Sequence, residues 1–210
     1  MIAVVDYGMG NIRSVEKGFL KVGTSVRVTA DPRVVSDARA VVLPGVGAFR
    51  DCMRNLEDRR LLDAVIRGIR AGKPYLGICL GLQILFTESE EFGACRGMDI
   101  LPGRVVRFRF PREADLKIPH MGWNTVNLRR RPPLFDDIPD GSHFYFVHSY
   151  YVLPDEEGVT AGVTDYGVPF ASMIWKDNVF ATQFHPEKSQ ERGLRILAGF
   201  SRFVQEERLP

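Results

Sequence analysis

The sequence predicts an α/β fold: an open, mainly parallel sheet with helices on both faces, extended by antiparallel strands in the C-terminal half. Two observations predict it. Over the first half of the chain, short apolar runs alternate with segments whose apolar residues recur at helical spacing. In the second half, strand-like runs are separated by Pro, Gly and Asp. With 210 residues and 45% hydrophobic content, we expect one domain over residues 1–210.

The N-terminal elements follow this alternation in order. Residues 2–5 form a continuous apolar run that is typical of a buried strand. Residues 11–22 carry apolar side chains at helical spacing and are followed by glycine, so they predict a helix. Residues 26–28 and 40–43 predict the next two strands. A longer helix then follows, with an apolar face made of Leu56, Leu61, Leu62, Val65, Ile66 and Ile69.

A strand-to-helix turn lies in mid-chain, and new strands follow it. Residues 74–78 predict a strand that passes at once into a helical pattern at residues 80–86. A closing helix is expected at residues 188–207. Between these helices, further strands are expected at residues 105–110, 144–151 and 179–183.

Composition and charge exclude several classes of protein. Lysine and arginine number 28 against 26 aspartate and glutamate, so there is no overall field for nucleic acid or an anionic membrane. The basic runs 104–112 and 129–131 are expected to be solvated faces. No apolar run approaches the roughly 20 residues that span a bilayer, and the N-terminus lacks the features of a signal peptide. We therefore expect neither a nucleic-acid nor a membrane partner.

Cysteine and glycine usage argues against a metal or a dinucleotide cofactor. Cys52, Cys79 and Cys95 are too few and too scattered for a disulfide framework or a zinc site, and a reduced, cytoplasmic compartment fits them best. Residues 6–11 contain two glycines, but the G-x-G-x-x-G fingerprint would need a third glycine where Arg13 stands. We expect no cofactor and no metal.

The sharpest local signal is Gly77-Ile78-Cys79-Leu80-Gly81, the cysteine form of the G-x-S-x-G nucleophile elbow. A strand precedes it and a helix follows, so the turn would lift the Cys79 sulfur above the sheet edge. The helix N-terminus favours the thiolate, and the Leu80 N–H would face a developing oxyanion. The same residues also fit a buried structural cysteine or a redox sensor.

A thiolate nucleophile needs a general base, and the chain has four histidines. His185 is preferred because Glu187 lies two positions further on. In an extended segment such residues share one face, so the carboxylate could hold the imidazole tautomer. His148 is the second candidate, whereas His120 and His143 have no adjacent acid in a useful register.

A glycine-rich segment at residues 43–49 supplies a third part of the predicted site. It follows a strand, so it would lie at the carboxyl end of the sheet near the elbow. Its glycines permit close backbone approach to a ligand, and its N–H groups could complete an oxyanion hole. The pattern P-G-x-G is common in turns, so this assignment depends on the elbow.

Together these motifs resemble the class I, or triad, glutamine amidotransferases. Residues 77–83 and 185–187 are similar to the nucleophile and base motifs of that family. Further motifs resemble the glutaminase subunits of imidazole glycerol phosphate synthases, and they run from residue 5 to residue 189. These motifs are Val5–Asn11, Leu43–Phe49, Pro119–Asn124, Phe144–Tyr151 and Phe184–Ser189.

The resemblance implies a Cys-His-Glu triad that hydrolyses glutamine to glutamate and ammonia. Cys79 would attack the side-chain carboxamide, His185 would move the proton, and Glu187 would orient His185. The oxyanion would be held by N–H groups of Val46, Gly47 and Leu80. Glutamine would be bound near Gly47, Gln83, Glu91 and Ser149.

The resemblance also implies a partner. In this family, ammonia passes to a cyclase subunit with a (β/α)₈ barrel, within a heterodimer that makes imidazole glycerol phosphate and aminoimidazole carboxamide ribotide for histidine synthesis. A ligand of the cyclase would raise the glutaminase rate. The partner interface would include Met121, Trp123, Asn124 and Lys188.

Two other functions stay open on the sequence alone. One is a different triad amidotransferase or a stand-alone γ-glutamyl hydrolase, which would turn over without a partner. The other is a catalytically silent scaffold that uses the fold to bind a partner. The motifs at residues 120–124 and 144–151 argue against the hydrolase, and intact triad residues argue against the scaffold.

Overall fold

Strands and helices alternate through the first half of the chain, as expected. The computed structural model describes residues 1–111 and 114–206. Its helices are α1 (Ile12–Lys21), α2 (Pro32–Asp37), α3 (Phe49–Asp58), α4 (Leu61–Arg70), α5 (Leu80–Gln83) and α6 (Gln190–Glu206). Its strands are β1 (Ile2–Val5), β2 (Val26–Thr29), β3 (Ala40–Gly45), β4 (Tyr75–Cys79), β5 (Phe86–Ser89), β6 (Cys95–Arg96), β7 (Leu101–Arg107), β8 (His120–Leu128), β9 (Ser142–His148), β10 (Tyr150–Pro154), β11 (Thr160–Asp165), β12 (Pro169–Lys176) and β13 (Val179–Thr182).

The strands form a sheet of the predicted class. Neighbouring strands in the order β2-β1-β3-β4-β13 are parallel. Beyond β13, the strands β12, β10 and β7 add in antiparallel orientation, and β5 and β6 complete that end. A branch from β12 runs through β11 and β8 to β9. The expected antiparallel extension from the C-terminal half is confirmed.

The core lies on both faces of the parallel strands, because successive residues of a strand point to opposite faces. In β1, Val4 packs on one face and Val5 on the other, and Val42 and Leu43 do the same in β3. Helices α3 and α4 cover one face, and α1 and α6 cover the other. Burial on both faces explains the continuous apolar runs of these strands.

The single long helix expected on the apolar face from Leu56 to Ile69 is two helices. Arg60, between α3 and α4, has a left-handed backbone with φ of +58°. A right-handed helix cannot continue through such a residue. Both helices still face one core, with Leu56 on α3 and Leu61 on α4. The predicted core residues are therefore correct, and the predicted continuity is wrong.

Two boundaries in the middle of the chain also differ from expectation. The helix predicted at residues 80–86 ends at Gln83, and Phe86 already belongs to β5. The run at residues 144–151 is divided at Ser149, because β9 pairs with β8 whereas β10 pairs with β7 and β12. The division directs the chain from the branch back to the main sheet.

The closing helix predicted at residues 188–207 is α6, which begins after a 3-10 turn at Pro186–Lys188. Its last predicted residue, Glu207, lies outside the described residues, as does Arg112 of the basic run. Helix α2 and strands β8, β11 and β12 are not among the expected elements; α2 has six residues and buries Val35 alone. In the described part of the chain, no helix is long and apolar enough to cross a membrane.

Candidate active site

Cys79 lies at the turn from β4 into α5, where the chain crosses the end of β3. Its φ of +55° is rare for a residue with a side chain. Two glycines permit the crossing. A Cβ on Gly81 would collide with the carbonyl oxygen of Leu43, and a Cβ on Gly77 would collide with that of Gly81. The turn therefore has the geometry of a nucleophile elbow.

His185 and Glu187 form a buried pair beside Cys79. His185 Nδ1 lies 2.8 Å from Glu187 Oε1, and the two side chains are 2% and 1% exposed. A carboxylate only accepts, so Nδ1 carries a proton and donates it to Glu187. Nε2 has no hydrogen-bond partner within the described part of the chain. This nitrogen is therefore available to exchange a proton with the thiol.

Strand pairing brings the base to the nucleophile. β13 runs parallel to β4 with Thr182 opposite Ile78, so the residues after the two strands emerge at one edge of the sheet. The prediction that His185 and Glu187 share one face assumes that the segment after β13 is extended throughout, and this assumption is wrong. His185 is extended, but residues 186–188 form a 3-10 turn, and this turn brings Glu187 to His185.

The surroundings of His185 set its charge. Burial lowers the pKa of His185 because it penalises the imidazolium. The charge of Cys79 and the Glu187 carboxylate, which accepts a hydrogen bond from the ring, act in the opposite direction and outweigh burial, raising the pKa to about 10. These neighbours therefore favour the imidazolium form of His185.

His148, the second candidate base, has both ring nitrogens occupied. Its Nδ1 lies 2.9 Å from the carbonyl oxygen of Tyr150 and therefore donates to it. Its Nε2 then accepts from His120 Nδ1 at 2.9 Å, and His120 Nε2 accepts from Asn124 Nδ2 at 3.3 Å. Each member donates to the next, so His148 has no free nitrogen for Cys79.

His120 and His148, the two histidines of this hydrogen-bonded series, are held neutral. Burial lowers the pKa of His120 to about 4 and that of His148 to about 3. The Tyr150 carbonyl raises the pKa of His148 slightly in opposition, and the neighbouring histidines His120 and His185 lower it further. Neutral rings satisfy every donor and acceptor in the series.

A cavity of about 440 Å³ opens at Cys79, a volume within the range of small-ligand sites. It brings together residues that the sequence assigns to catalysis, oxyanion binding and glutamine binding. The predicted residues that line it are Val46, Gly47, Cys79, Leu80, Gln83, Glu91, Ser149 and Lys188. In the described part of the chain, no three His, Cys, Asp or Glu side chains are grouped so as to hold a metal ion.

The predicted oxyanion residues lie side by side. Gly45 pairs with Cys79 at the ends of β3 and β4, so Val46 and Gly47 follow directly beside the nucleophile. Gly47 has a φ of +101°, a conformation that favours glycine. Leu80 begins α5 and adjoins the same cavity.

The predicted glutamine-binding residues are held by neighbouring elements. Glu91 Oε2 accepts the N–H of Phe49, the first residue of α3, at 2.7 Å, so this carboxylate caps a helix while it lines the cavity. Gln83 is buried, and its Nε2 donates to the Tyr150 carbonyl oxygen at 3.0 Å. Ser149 lies between β9 and β10.

The predicted interface residues divide between two faces of the β8–β9 pair. Met121 and Trp123 are 65% and 47% exposed. Trp123 packs edge-on against Tyr145, and Lys188 Nζ lies 5.8 Å from the centre of the same ring. Asn124 points to the opposite face, where its amide donates to a main-chain carbonyl at 2.8 Å.

Two residues of the site carry no sequence prediction. Gln183 Nε2 donates to Cys79 Sγ at 3.6 Å. Its sequence signal is a polar residue two positions before the base, in a run that is apolar except for the neighbouring Thr182. Tyr145 is placed opposite Trp123 by the register of β8 and β9, which no local pattern shows.

Comparison with known proteins identifies the class. Residues 3–202 match the family model "Glutamine amidotransferase class-I". The fold is similar to PurLQS from Thermotoga maritima, with a TM-score of 0.74 and 17% identity over 97% of this chain and 98% of that one. A crystal structure of a glutamine amidotransferase gives a TM-score of 0.72 and 17% identity over 98% of both chains. The chain belongs to the class-I glutamine amidotransferase family.

Curated relatives narrow this membership, and the three that follow each carry the name imidazole glycerol phosphate synthase subunit HisH. The protein from Geobacter sulfurreducens is 58% identical over 95% of this chain and 97% of its own length. The protein from Geobacter metallireducens is 57% identical with the same coverage, and that from Desulfitobacterium hafniense is 48% identical over 99% and 96%. The resemblance seen in the motifs is thereby confirmed, and within the family this chain groups with HisH.

The close crossing of the main chain at the nucleophile elbow predicts that position 81 does not tolerate even one added methyl group. Gly81→Ala places a Cβ against the Leu43 carbonyl oxygen, so we expect a loss of about 1–3 kcal/mol or more and a clear fall in melting temperature. Gly158→Ala is the control, since a Cβ there meets no atom within 4 Å. Equal melting temperatures for the two variants would contradict the crossing.

The neutral state of the hydrogen-bonded pair His120 and His148 predicts that the protein is less stable in mild acid. His120 and His148 have lowered pKa values in the folded protein, whereas histidines in an unfolded chain titrate at about 6.5. Below that pH the unfolded chain therefore binds more protons than the folded protein does. The free energy of unfolding should therefore decrease from about pH 7 to about pH 5 in urea titrations. His120→Asn should shrink this decrease, and His143→Asn, at an exposed position, should not. If the free energy of unfolding decreased as much in His120→Asn as in the unaltered protein, His120 would not be held neutral in the folded state.

Proposed function

We propose that the chain is the glutamine-hydrolysing subunit of an imidazole glycerol phosphate synthase. It converts glutamine to glutamate and ammonia at Cys79 and delivers the ammonia to a cyclase subunit for histidine biosynthesis. The observation that carries the proposal is the buried His185–Glu187 pair beside an elbow cysteine, in a chain that is 57–58% identical to HisH subunits over nearly its full length.

Hydrolysis proceeds in two half-reactions. The Cys79 thiolate attacks the carboxamide carbon, and His185 gives a proton to the nitrogen as the C–N bond breaks. Ammonia leaves, and a glutamyl thioester remains. Water then adds to the thioester carbon and gives a proton to His185, and the C–S bond breaks to release glutamate. Glu187 holds the imidazole and stabilises its charged form in both half-reactions.

The cavity wall supplies the remaining interactions. The carbonyl oxygen of the substrate becomes negatively charged in both half-reactions, and N–H groups of Val46, Gly47 and Leu80 stabilise it. Glu91 offers the negative charge that attracts the α-ammonium group of glutamine. Gly47, Gln83 and Ser149 complete the binding site along the same wall.

The ammonia passes to a cyclase subunit that forms a heterodimer with this chain through a (β/α)₈ barrel. Ammonia released into water is protonated and loses its nucleophilicity, so the transfer has to exclude solvent. Met121 and Trp123 offer exposed apolar surface for such a partner, and Lys188 lies between that surface and the cavity. Asn124 supports this interface from the inner face of β8.

The complex works in the cytoplasm, and residues 1–210 act as one amidotransferase domain.

The alternatives account for fewer features. A stand-alone hydrolase leaves no purpose for the exposed apolar surface of Met121 and Trp123. A silent scaffold leaves no purpose for the buried histidine–carboxylate pair. Burying charged groups costs stability, and a scaffold gains nothing in return.

In the complex with its cyclase, Cys79→Ala should abolish glutamine-dependent synthesis of imidazole glycerol phosphate, with a loss of more than about 10³-fold. Synthesis from added ammonium salt should persist, because only the ammonia source is removed. Cys95→Ala, at a partly exposed thiol away from the triad, should keep both activities. Product formation is measured by chromatography with each nitrogen source.

Equal loss of both activities in Cys79→Ala would mean that Cys79 is structural. Glutamate release by the chain alone, at the rate of the complex with its cyclase ligand, would favour the stand-alone hydrolase.

A further inference from the structure

Gln183 is a buried amide that connects the nucleophile to the wall of the cavity. Its side chain is wholly buried. Its Nε2 donates to Cys79 Sγ at 3.6 Å, and its Oε1 accepts from Gln83 Nε2 at 3.2 Å. Its main-chain N–H donates to the Ser172 carbonyl oxygen of β12 at 2.9 Å. Both ends of the side chain and the backbone are therefore held.

One carbonyl oxygen determines which end of this amide faces the sulfur. The Tyr150 carbonyl can only accept, so the Gln83 atom 3.0 Å from it is the NH₂ nitrogen. The same nitrogen faces Gln183, and the atom that it meets is therefore the amide oxygen. The NH₂ group of Gln183 is left to face Cys79. This orientation follows without any assumption about the charge of the sulfur.

An amide N–H beside the sulfur acts differently on the two forms of Cys79. The N–H can only donate, and a thiolate accepts a hydrogen bond more strongly than a thiol does. The thiol has a different partner, the Val147 carbonyl oxygen at 3.9 Å, which can only accept from S–H. Gln183 therefore favours the thiolate over the thiol, and it does so as a neutral group.

We propose that Gln183 is a positioning residue for the nucleophile. It holds the Cys79 sulfur as a thiolate and, through Gln83, ties it to the wall that binds glutamine. The kinetic consequence rests on the proposed glutaminase function, whereas the reactivity of the thiol can be measured without glutamine.

Alkylation of Cys79 by iodoacetamide tests the proposal, with each cysteine peptide followed by mass spectrometry. Gln183→Met keeps the length of the side chain but removes the donor. The alkylation rate near pH 7 should fall by about tenfold and recover in alkaline buffer, where the thiol ionises unaided. Gln183→Glu should lower the rate further, because it places a carboxylate beside the thiolate.

Thr182→Val is the matched control. It removes another buried polar group from the neighbouring position, where the Thr182 hydroxyl donates to the Phe184 carbonyl oxygen at 2.9 Å. Its Cys79 should be alkylated at the rate of the unaltered chain. Equal slowing in Thr182→Val would overturn the proposal, because the effect would then be a general loss of structure.

Glutamine hydrolysis by the complex gives a second readout. Gln183→Met should lower kcat by about tenfold with little change in KM, because Gln183 contacts the sulfur and lies outside the cavity lining. Gln183→Asn keeps the amide but withdraws it by one methylene. It should behave like Gln183→Met, and it serves if the Met variant does not fold.

Unaltered alkylation rates in folded Gln183 variants would overturn the proposal. If the unaltered complex releases no glutamate from glutamine, the proposed function fails, and the alkylation rates still decide the role of Gln183.

Discussion

The close crossing of the Cys79 turn over the end of β3 is the constraint on which the site depends. Gly77 and Gly81 let the main chain pass where a side chain would collide, and the cysteine between them takes a positive φ. Because β3 ends at the same crossing, Val46 and Gly47 emerge beside the sulfur. One packing contact thus places both the nucleophile, at the end of β4, and the segment proposed to stabilise the oxyanion, directly after β3.

Buried histidines in this region reach opposite charge states because their partners differ. His185 has a carboxylate and a cysteine as neighbours, which raise its pKa despite burial. His120 and His148 have only neutral hydrogen-bond partners, and burial lowers their pKa values. The environment rather than the residue type therefore selects the base. The Tyr150 carbonyl joins the two systems, since it accepts both from His148 and from Gln83, which leads on to Cys79.

The features that could be predicted from the sequence are those that depend on local patterns. Burial on both faces produces the continuous apolar runs of β1 and β3, and the crossing requires the G-x-C-x-G pattern. The break between α3 and α4 could not be predicted, because the left-handed residue there is Arg60 rather than glycine. The contact of Gln83 with Gln183 joins residues 100 positions apart, and the inward direction of the Asn124 amide depends on the pairing of β8. No local pattern contains either.

Covalent labelling with an electrophilic glutamine analogue, one with a chloromethyl ketone in place of the carboxamide, tests a catalytic Cys79 most directly. The complex with the cyclase is labelled with and without glutamine, and the modified peptides are identified by mass spectrometry. The triad geometry predicts a label on Cys79 alone, with protection by glutamine, although Cys95 is the more exposed thiol. A label on Cys95, or labelling of Cys79 that glutamine does not slow, would contradict a glutamine-binding triad at this site.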